Sequence, residues 1–210
     1  MDRIHVKVCG ITRLEDAELA AGLGASAVGF VFWPASPRFI DPYRARAIAR
    51  ALPPFVTPVG VFVDQPIAFV EGVASLVRLG AVQLHGHESA EYCARVRNRV
   101  IKGVGLKGDD TTLVEIYPAS IVILLDAHDP VRRGGTGRTV DWATARRIAG
   151  SRRTILSGGL TPENVAAAID AVRPYGVDVS SGVESSPGVK DHARLGEFFA
   201  AVRPSRAGEV

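Results

Sequence analysis

The sequence predicts a (β/α)8 fold, a TIM barrel of eight parallel strands. Eight short, β-branched apolar segments recur along the chain, and most are continuously apolar, as strands are when both faces of a sheet are covered. Helical patterns separate these segments. The 210 residues shared among eight units give about 26 residues per unit, a short but acceptable length for this barrel.

The predicted strands follow one another at regular intervals. A flavodoxin-like or Rossmann sheet is the structural alternative, but such sheets use about five or six strands, so eight favour closure into a barrel. The eight segments are 4–9, 27–32, 59–63, 81–85, 100–104, 121–126, 154–157 and 177–180.

Three stretches carry the i, i+3, i+4, i+7 apolar spacing of an amphipathic helix. They begin at Ala45, Val165 and Leu195. Asp41 and Pro42 precede the first of these stretches and predict an N-cap followed by a first-turn proline.

The first and fifth helices are marked less clearly. Thr12 and Glu15 have the spacing of a capping box ahead of the first helix. A helix near 110–117 is expected to be short. No internal boundary is visible, so we expect residues 1–202 to form one barrel domain and residues 203–210 a frayed tail.

Composition excludes several classes of protein. The net charge is +3, and the basic residues are scattered rather than gathered in one run, which argues against a nucleic-acid partner. Cys9 and Cys93 form neither a disulfide framework nor a metal-ligand pattern. No signal peptide and no membrane-spanning segment is recognisable. We therefore expect a cytoplasmic protein without a membrane partner and without a metal.

Glycines follow the last two predicted strands. Gly158 and Gly159 come after strand 7, and Ser180, Ser181 and Gly182 come at the end of strand 8. In (β/α)8 barrels these two loops commonly bind phosphate through backbone N–H groups. Tight turns that need glycine are the alternative, but the occurrence of both loops at these strands favours a phosphate site.

Two strand ends carry acid–base candidates. Cys9 ends strand 1 and is a possible base, although an ordinary thiol is only roughly 3% thiolate at pH 7 and a free cysteine is often just a small buried residue. Asp126 ends strand 6. It is a possible general acid if burial keeps its carboxyl protonated, and otherwise a ligand-binding carboxylate or a loop cap.

Charged residues nearby allow more than one interpretation. Lys7 points to the same side of strand 1 as Cys9; we favour a buried ion pair with Asp178 over a Schiff-base nucleophile. Arg38, after strand 2, could bind a carboxylate or phosphate, or could be an ordinary surface arginine. The glycine-rich loop 133–138 looks like a flexible lid and has no P-loop ending.

Taken together, these residues resemble the phosphoribosylanthranilate isomerases. The resemblance runs in order from strand 1 to the segment after strand 8, and its strength lies in the ordered set. It rests on residues 7–12, 29–32, 36–38, 83–86, 125–126, 134–137, 157–160, 164 and 179–184.

The resemblance implies an Amadori rearrangement of a small phosphorylated substrate, in tryptophan biosynthesis and without a cofactor. Asp126 would be the general acid, Cys9 the general base, and Arg38 the group that holds the anthranilate carboxylate. The two glycine-bearing loops would bind phosphate. His85 and Asp178 would shape the mouth and interior of the site. The sequence itself does not decide the oligomeric state, and we expect a monomer or a homodimer.

Three alternatives remain open from the sequence. One is another phosphosugar isomerase, such as the aminoaldose isomerase of histidine synthesis, whose chemistry is usually attributed to paired aspartates rather than to a cysteine. The second is a Schiff-base aldolase that uses Lys7. The third is a binding protein for phosphorylated ligands without catalytic activity.

Overall fold

The computed structural model describes residues 4–106, 112–127 and 141–202. Eight parallel strands form a closed barrel in which each strand pairs with the next and the last returns to the first. The strands are β1 His5–Cys9, β2 Ala27–Val31, β3 Thr57–Phe62, β4 Ala81–Leu84, β5 Val100–Leu106, β6 Val122–Ala127, β7 Thr154–Leu156 and β8 Gly176–Val179.

Helices alternate with the strands and surround the barrel. A 3-10 turn, Ser181–Val183, and a short hairpin, β9 Glu184–Ser186 with β10 Val189–Lys190, lie between β8 and the last helix. The helices are α1 Leu14–Leu23, α2 Pro42–Ala51, α3 Ile67–Val77, α4 Ala90–Arg95, α5 Thr112–Glu115, α6 Trp142–Ser151, α7 Val165–Val172 and α8 His192–Val202.

The predicted fold class is confirmed, with all eight strands in their expected order. The strand bounds shift by one or two residues: β3 begins at Thr57 rather than Val59, and β5 continues to Leu106. The hairpin β9–β10 was not predicted. Its segments of three and two residues are too short to show any periodicity.

Local capping signals had mixed outcomes. The Asp41 side chain accepts hydrogen bonds from the backbone N–H groups of Tyr43 and Arg44, and Pro42 opens α2, as predicted. The predicted capping box of α1 is wrong. Thr12 instead donates from its hydroxyl to the carbonyl of Gly188, 2.5 Å away. A tertiary hydrogen bond has taken the place of the local one.

Alternate residues of β1 separate the main core from the barrel interior. Val6 and Val8 belong to the large apolar cluster shared with the surrounding helices. Lys7 and Cys9 alternate with them and so point to the other side of the strand. The barrel interior near its carboxyl end is therefore built partly from polar side chains.

Several expectations concern segments beyond this description. The predicted tail 203–210 and the glycine-rich loop 133–138 lie outside the described residues. Within the three described ranges, no helix has both the length and the apolar character needed to cross a bilayer.

Candidate active site

A cavity opens at the carboxyl ends of the barrel strands. This is the end of a (β/α)8 barrel at which active sites are found. All ten candidate site residues predicted from the sequence line this one cavity. They are Cys9, Arg38, His85, Asp126, Gly158, Gly159, Asp178, Ser180, Ser181 and Gly182.

Cys9, at the end of β1, lines the cavity among apolar side chains. It packs with Val31 and Val61, and Trp33 lies against the three of them. The neighbouring strand leaves room for the thiol at Gly29, where an added Cβ would lie 2.9 Å from the Cys9 sulfur. A larger residue than glycine at this position would push the thiol away.

Burial raises the pKa of the Cys9 thiol above its ordinary value, and the positive charge of Lys7 only partly offsets this effect. The carboxylate of Asp178 acts in the same direction as burial, whereas Lys190 opposes it. The ligand-free site therefore favours the neutral thiol at pH 7. A base at this position has to gain its charge from the bound ligand or from a higher pH.

The predicted ion pair between Lys7 and Asp178 is confirmed. Lys7 Nζ lies 2.8 Å from Asp178 Oδ1, and both side chains are buried. The Ser157 hydroxyl donates to the other carboxylate oxygen over 3.4 Å. The carboxylate offsets part of the hydration that the buried ammonium loses, so Lys7 stays paired beside Cys9.

Asp126, at the end of β6, approaches the cavity from the far side of the barrel relative to β1. His85 Nε2 lies 3.2 Å from Asp126 Oδ2, and the Gln83 amide nitrogen lies 3.0 Å from His85 Nδ1. Gly103 on the adjacent strand makes space for the ring, because an added Cβ there would meet His85 Nδ1 at 2.3 Å. The imidazole thus fixes where the carboxyl group lies.

The two glycine-bearing loops touch one another beside the cavity. An added Cβ at Gly182 would lie 1.9 Å from the carbonyl oxygen of Leu160, so only glycine permits this approach. Gly158 and Gly159 both have positive φ, at 85° and 69°. Asn164 donates to the Gly159 carbonyl at 2.9 Å and holds the first loop in place.

Two buried polar atoms on the cavity wall remain without a hydrogen-bond partner in the described part of the chain. They are the Ser180 hydroxyl oxygen and the Gln83 amide oxygen. Buried polar groups are nearly always satisfied in folded proteins. Both belong to residues that line the cavity.

Arg38 lies at the cavity edge, where its guanidinium binds a buried carboxylate. Its Nη2 is 2.7 Å from Glu184 Oε2, and its Nε contacts both carboxylate oxygens. Lys190 Nζ donates to Glu184 Oε1 at 2.9 Å. Sequence reasoning missed the parts played by both partners. Glu184 lay inside a recognised stretch without an assigned contact, and no local pattern marks Lys190.

The site combines acid–base groups with groups suited to anions. Cys9 and Asp126 line the same cavity as Arg38 and the two glycine-bearing loops. Among the residues in the described ranges, no group of three or more histidine, cysteine, aspartate or glutamate side chains could hold a metal ion.

Comparisons with known proteins agree on one family. Residues 6–201 match the family model described as N-(5'phosphoribosyl)anthranilate (PRA) isomerase. An N-(5'-phosphoribosyl)anthranilate isomerase of Pelobacter propionicus is 48% identical over 97% of this chain and 98% of its own length. The protein of that name from Geotalea uraniireducens is 53% identical over 92% of this chain and 96% of its own.

Solved structures lead to the same family. The phosphoribosyl anthranilate isomerase of Thermotoga maritima superposes with a TM-score of 0.89 at 47% identity, covering 95% of this chain and 98% of that one. A second solved structure of such an isomerase, in complex with reduced 1-(o-carboxyphenylamino)-1-deoxyribulose 5-phosphate, gives a TM-score of 0.85 at 46% identity, with coverage of 95% and 98%. The chain therefore belongs to the N-(5'-phosphoribosyl)anthranilate isomerase family.

Proposed function

We propose that this chain catalyses the Amadori rearrangement of N-(5'-phosphoribosyl)anthranilate to 1-(2-carboxyphenylamino)-1-deoxyribulose 5-phosphate, a step of tryptophan biosynthesis. Family membership over nearly the whole chain supports the reaction. The structural observation that carries the proposal is that Cys9 and Asp126 line one cavity from strands on different sides of the barrel. Such an arrangement suits a reaction that gives a proton at one atom and takes one at another.

Asp126 acts as the general acid in this proposal. It gives its proton to the ring oxygen of the phosphoribosyl group while the C1–O bond breaks. The lone pair of the anthranilate nitrogen then forms a double bond to C1, which leaves a Schiff-base cation and an open sugar chain. His85 holds the carboxyl group of Asp126 in place from 3.2 Å.

Cys9 acts as the general base. Its thiolate takes the proton from C2, and the electrons of that C–H bond form the C1=C2 double bond as the C1=N electrons return to nitrogen. The resulting enolamine then gains a proton at C1 from solvent and loses its C2 hydroxyl proton to solvent, which gives the ketone product. The Schiff-base cation places a positive charge beside Cys9, which lowers the cost of ionising a thiol whose pKa burial has raised. The substrate nitrogen is the electron sink, so the proposed steps need no cofactor.

The substrate's two anionic groups are assigned to different residues of the cavity. We assign the phosphate to the backbone around Gly158, Gly159 and Gly182, with the Ser180 and Ser181 side chains beside it. We assign the anthranilate carboxylate to Arg38. Asp178 takes no part in proton transfer and holds Lys7.

We extend the proposal to the domain organisation, the location and the oligomeric state of the protein. We propose that residues 1–202 fold as one domain, since β8 pairs with β1 and closes the barrel. The enzyme would act in the cytoplasm as a monomer or homodimer; a related protein from Thermotoga maritima is described as dimeric. Sedimentation at micromolar concentration distinguishes the two states.

A kinetic comparison of three proteins tests the function. Phosphoribosylanthranilate is generated in situ from anthranilate, and its fluorescence decay is followed with the wild type, Cys9→Ala and Asp126→Asn. We expect rapid decay with the wild type and a fall in kcat of about 10²–10⁴ for each variant, with KM nearly unchanged. An inactive wild type that still binds the product analogue would identify a binding protein. Near-normal kcat in either variant would refute that residue's role.

A further inference from the structure

A buried network of charges behind the cavity takes no part in the proton transfers. It joins Arg38 at the cavity edge to Glu184 and Lys190 of the β9–β10 hairpin. The side chains of Glu184 and Lys190 are 4% and 0% exposed. Two opposite charges buried together need good geometry to offset their lost hydration, so their positions are well determined.

Lys190 connects this network to the backbone of Cys9, the proposed base. Its ammonium group donates three hydrogen bonds: to the Cys9 carbonyl at 2.6 Å, to Glu184 Oε1 at 2.9 Å and to the Ser180 carbonyl at 3.2 Å. An ammonium group has three hydrogens, so this set uses all of its donors. The ends of β1 and β8 are thereby held at a fixed distance from the Glu184 carboxylate.

Glu184 occupies one edge of the Arg38 guanidinium. The Nε and Nη2 groups of Arg38 donate to its carboxylate, whereas Nη1 makes no hydrogen bond to any described residue. A guanidinium has five N–H donors in a planar fork, so a second edge remains available. Because Arg38 also lines the cavity, that edge is suited to a second carboxylate.

The stem of Arg38 lies directly on the backbone beside the base. An added Cβ at Gly10, the residue after Cys9, would lie 2.6 Å from Arg38 Cδ, and Gly10 has a positive φ of 75°. The guanidinium is thus held from two sides, by Gly10 under its stem and by Glu184 at its head. Neither contact involves an atom that the proposed reaction changes.

The charge of Glu184 is secured by its neighbours. Burial alone would raise the pKa of its carboxyl group, but the hydrogen bond from Arg38 and the charge of Lys190 outweigh burial, and the net pKa is lowered. Glu184 is therefore a carboxylate at neutral pH. Its charged carboxylate accepts the hydrogen bonds from the Nε and Nη2 groups along one edge of the Arg38 guanidinium.

We propose that Glu184 is a positioning residue for recognition of the substrate carboxylate. It holds one edge of Arg38 so that the other edge meets the carboxylate at a set distance from Cys9. This inference rests on the proposed function, because the carboxylate concerned belongs to the anthranilate ring. It adds to that function by identifying Glu184 as the group that sets the position of the Arg38 guanidinium.

Two substrates separate positioning from a general effect on the fold. One is phosphoribosylanthranilate, and the other is the corresponding phosphoribosylaniline, which has no carboxylate. We expect Glu184→Gln to lower kcat/KM for the first by about tenfold or more, the usual scale for a hydrogen bond to a charged group. The value for the second should change by less than about threefold. Chromatographic detection of product gives both rates.

A double-mutant cycle then shows whether Glu184 acts through Arg38. Arg38→Gln should reproduce the selective loss, and the variant carrying both changes should be no worse than Arg38→Gln alone. Glu71→Gln is the matched control: Glu71, in α3, contacts Arg97 in the segment between α4 and β5, and its replacement should leave both rates unchanged. If Glu184→Gln does not fold, Glu184→Gln with Lys190→Gln removes the fully buried ammonium together with its carboxylate partner, and the ratio of the two substrates remains the readout.

The outcomes distinguish the two proposals. Equal losses on both substrates, no loss on either, or additive effects in the cycle would overturn the role of Glu184 while leaving the isomerase function intact. A wild type that does not convert phosphoribosylanthranilate would overturn the function itself. A selective loss that disappears in the Arg38→Gln background supports the positioning role.

Discussion

Lys7 Nζ and Asp178 Oδ1 lie 2.8 Å apart where the register of β1 and β8 pairs these two residues. Burial alone would lower the pKa of Lys7, but the carboxylate of Asp178 and the neighbouring Cys9 raise it above its ordinary value. Lys7 is therefore an ammonium ion at neutral pH. An ammonium has no lone pair with which to attack a carbonyl group.

Borohydride trapping should consequently yield no adduct at Lys7. The protein is incubated with ribulose 5-phosphate and sodium borohydride at pH 7, and its intact mass is then measured. We expect the unmodified mass, whereas a lysine-dependent aldolase treated in the same way gains the mass of the reduced sugar phosphate. Mass added at Lys7 would support the aldolase alternative.

Alkylation of Cys9 should accelerate with pH beyond the usual range of a free thiol. Its pKa is raised above 9.0, and only the thiolate reacts. The rate with iodoacetamide should therefore rise about tenfold per unit between pH 7 and 9 without levelling off. Peptide mass spectrometry in a Cys93→Ser background measures it. A plateau below pH 8 would mean that Lys7 and Lys190 outweigh burial.

Replacing Gly182 by alanine should damage phosphate binding. The new methyl group would overlap the Leu160 carbonyl oxygen, 1.9 Å away, so the two loops have to separate. We expect KM to rise at least about tenfold and the free energy of unfolding to fall by about 1–3 kcal/mol. Gly72→Ala in α3 is the control: nothing lies within 4 Å of its added Cβ, and stability should rise by about 0.5–1 kcal/mol. An unchanged KM in Gly182→Ala would exclude these loops from phosphate binding.

Asp16 should contribute stability that disappears in acid. This fully buried carboxylate accepts hydrogen bonds from Arg13, from the Lys190 backbone and from His192. Burial alone would raise the pKa of Asp16, but these bonds outweigh it and the net pKa is lowered. The stabilisation is therefore complete above the ordinary value of 3.8 and is lost as the pH falls through the folded-state value.

Urea unfolding of the wild type and Asp16→Asn at several pH values measures this effect. At pH 7 the variant should be less stable by about 1.5–3 kcal/mol, the scale for a hydrogen bond to a charged group. The difference should shrink as the pH drops below 3.8. A difference independent of pH would show that the charge of Asp16 contributes nothing.

Much of the candidate site could be predicted because it depends on local order. Cys9, Asp126 and the glycine pairs stand at strand ends, and the ends of parallel strands meet on one side of a closed barrel. Correct assignment of the strands was therefore enough to predict that these residues lie in one site. The capping box at Thr12 failed for the opposite reason: its hydroxyl bonds to Gly188, a residue 176 positions further along the chain.

The sequence by itself determined the eight-unit barrel and the side of it on which chemistry occurs, since the apolar period decides which residues are buried and the turn glycines decide where strands end. Only the tertiary structure decided the charge network of Arg38, Glu184 and Lys190 and the direction of the Cys9 pKa. Arg38 and Glu184 are 146 positions apart. Ion pairs and desolvation depend on distances through space, which become fixed only when β8 closes against β1.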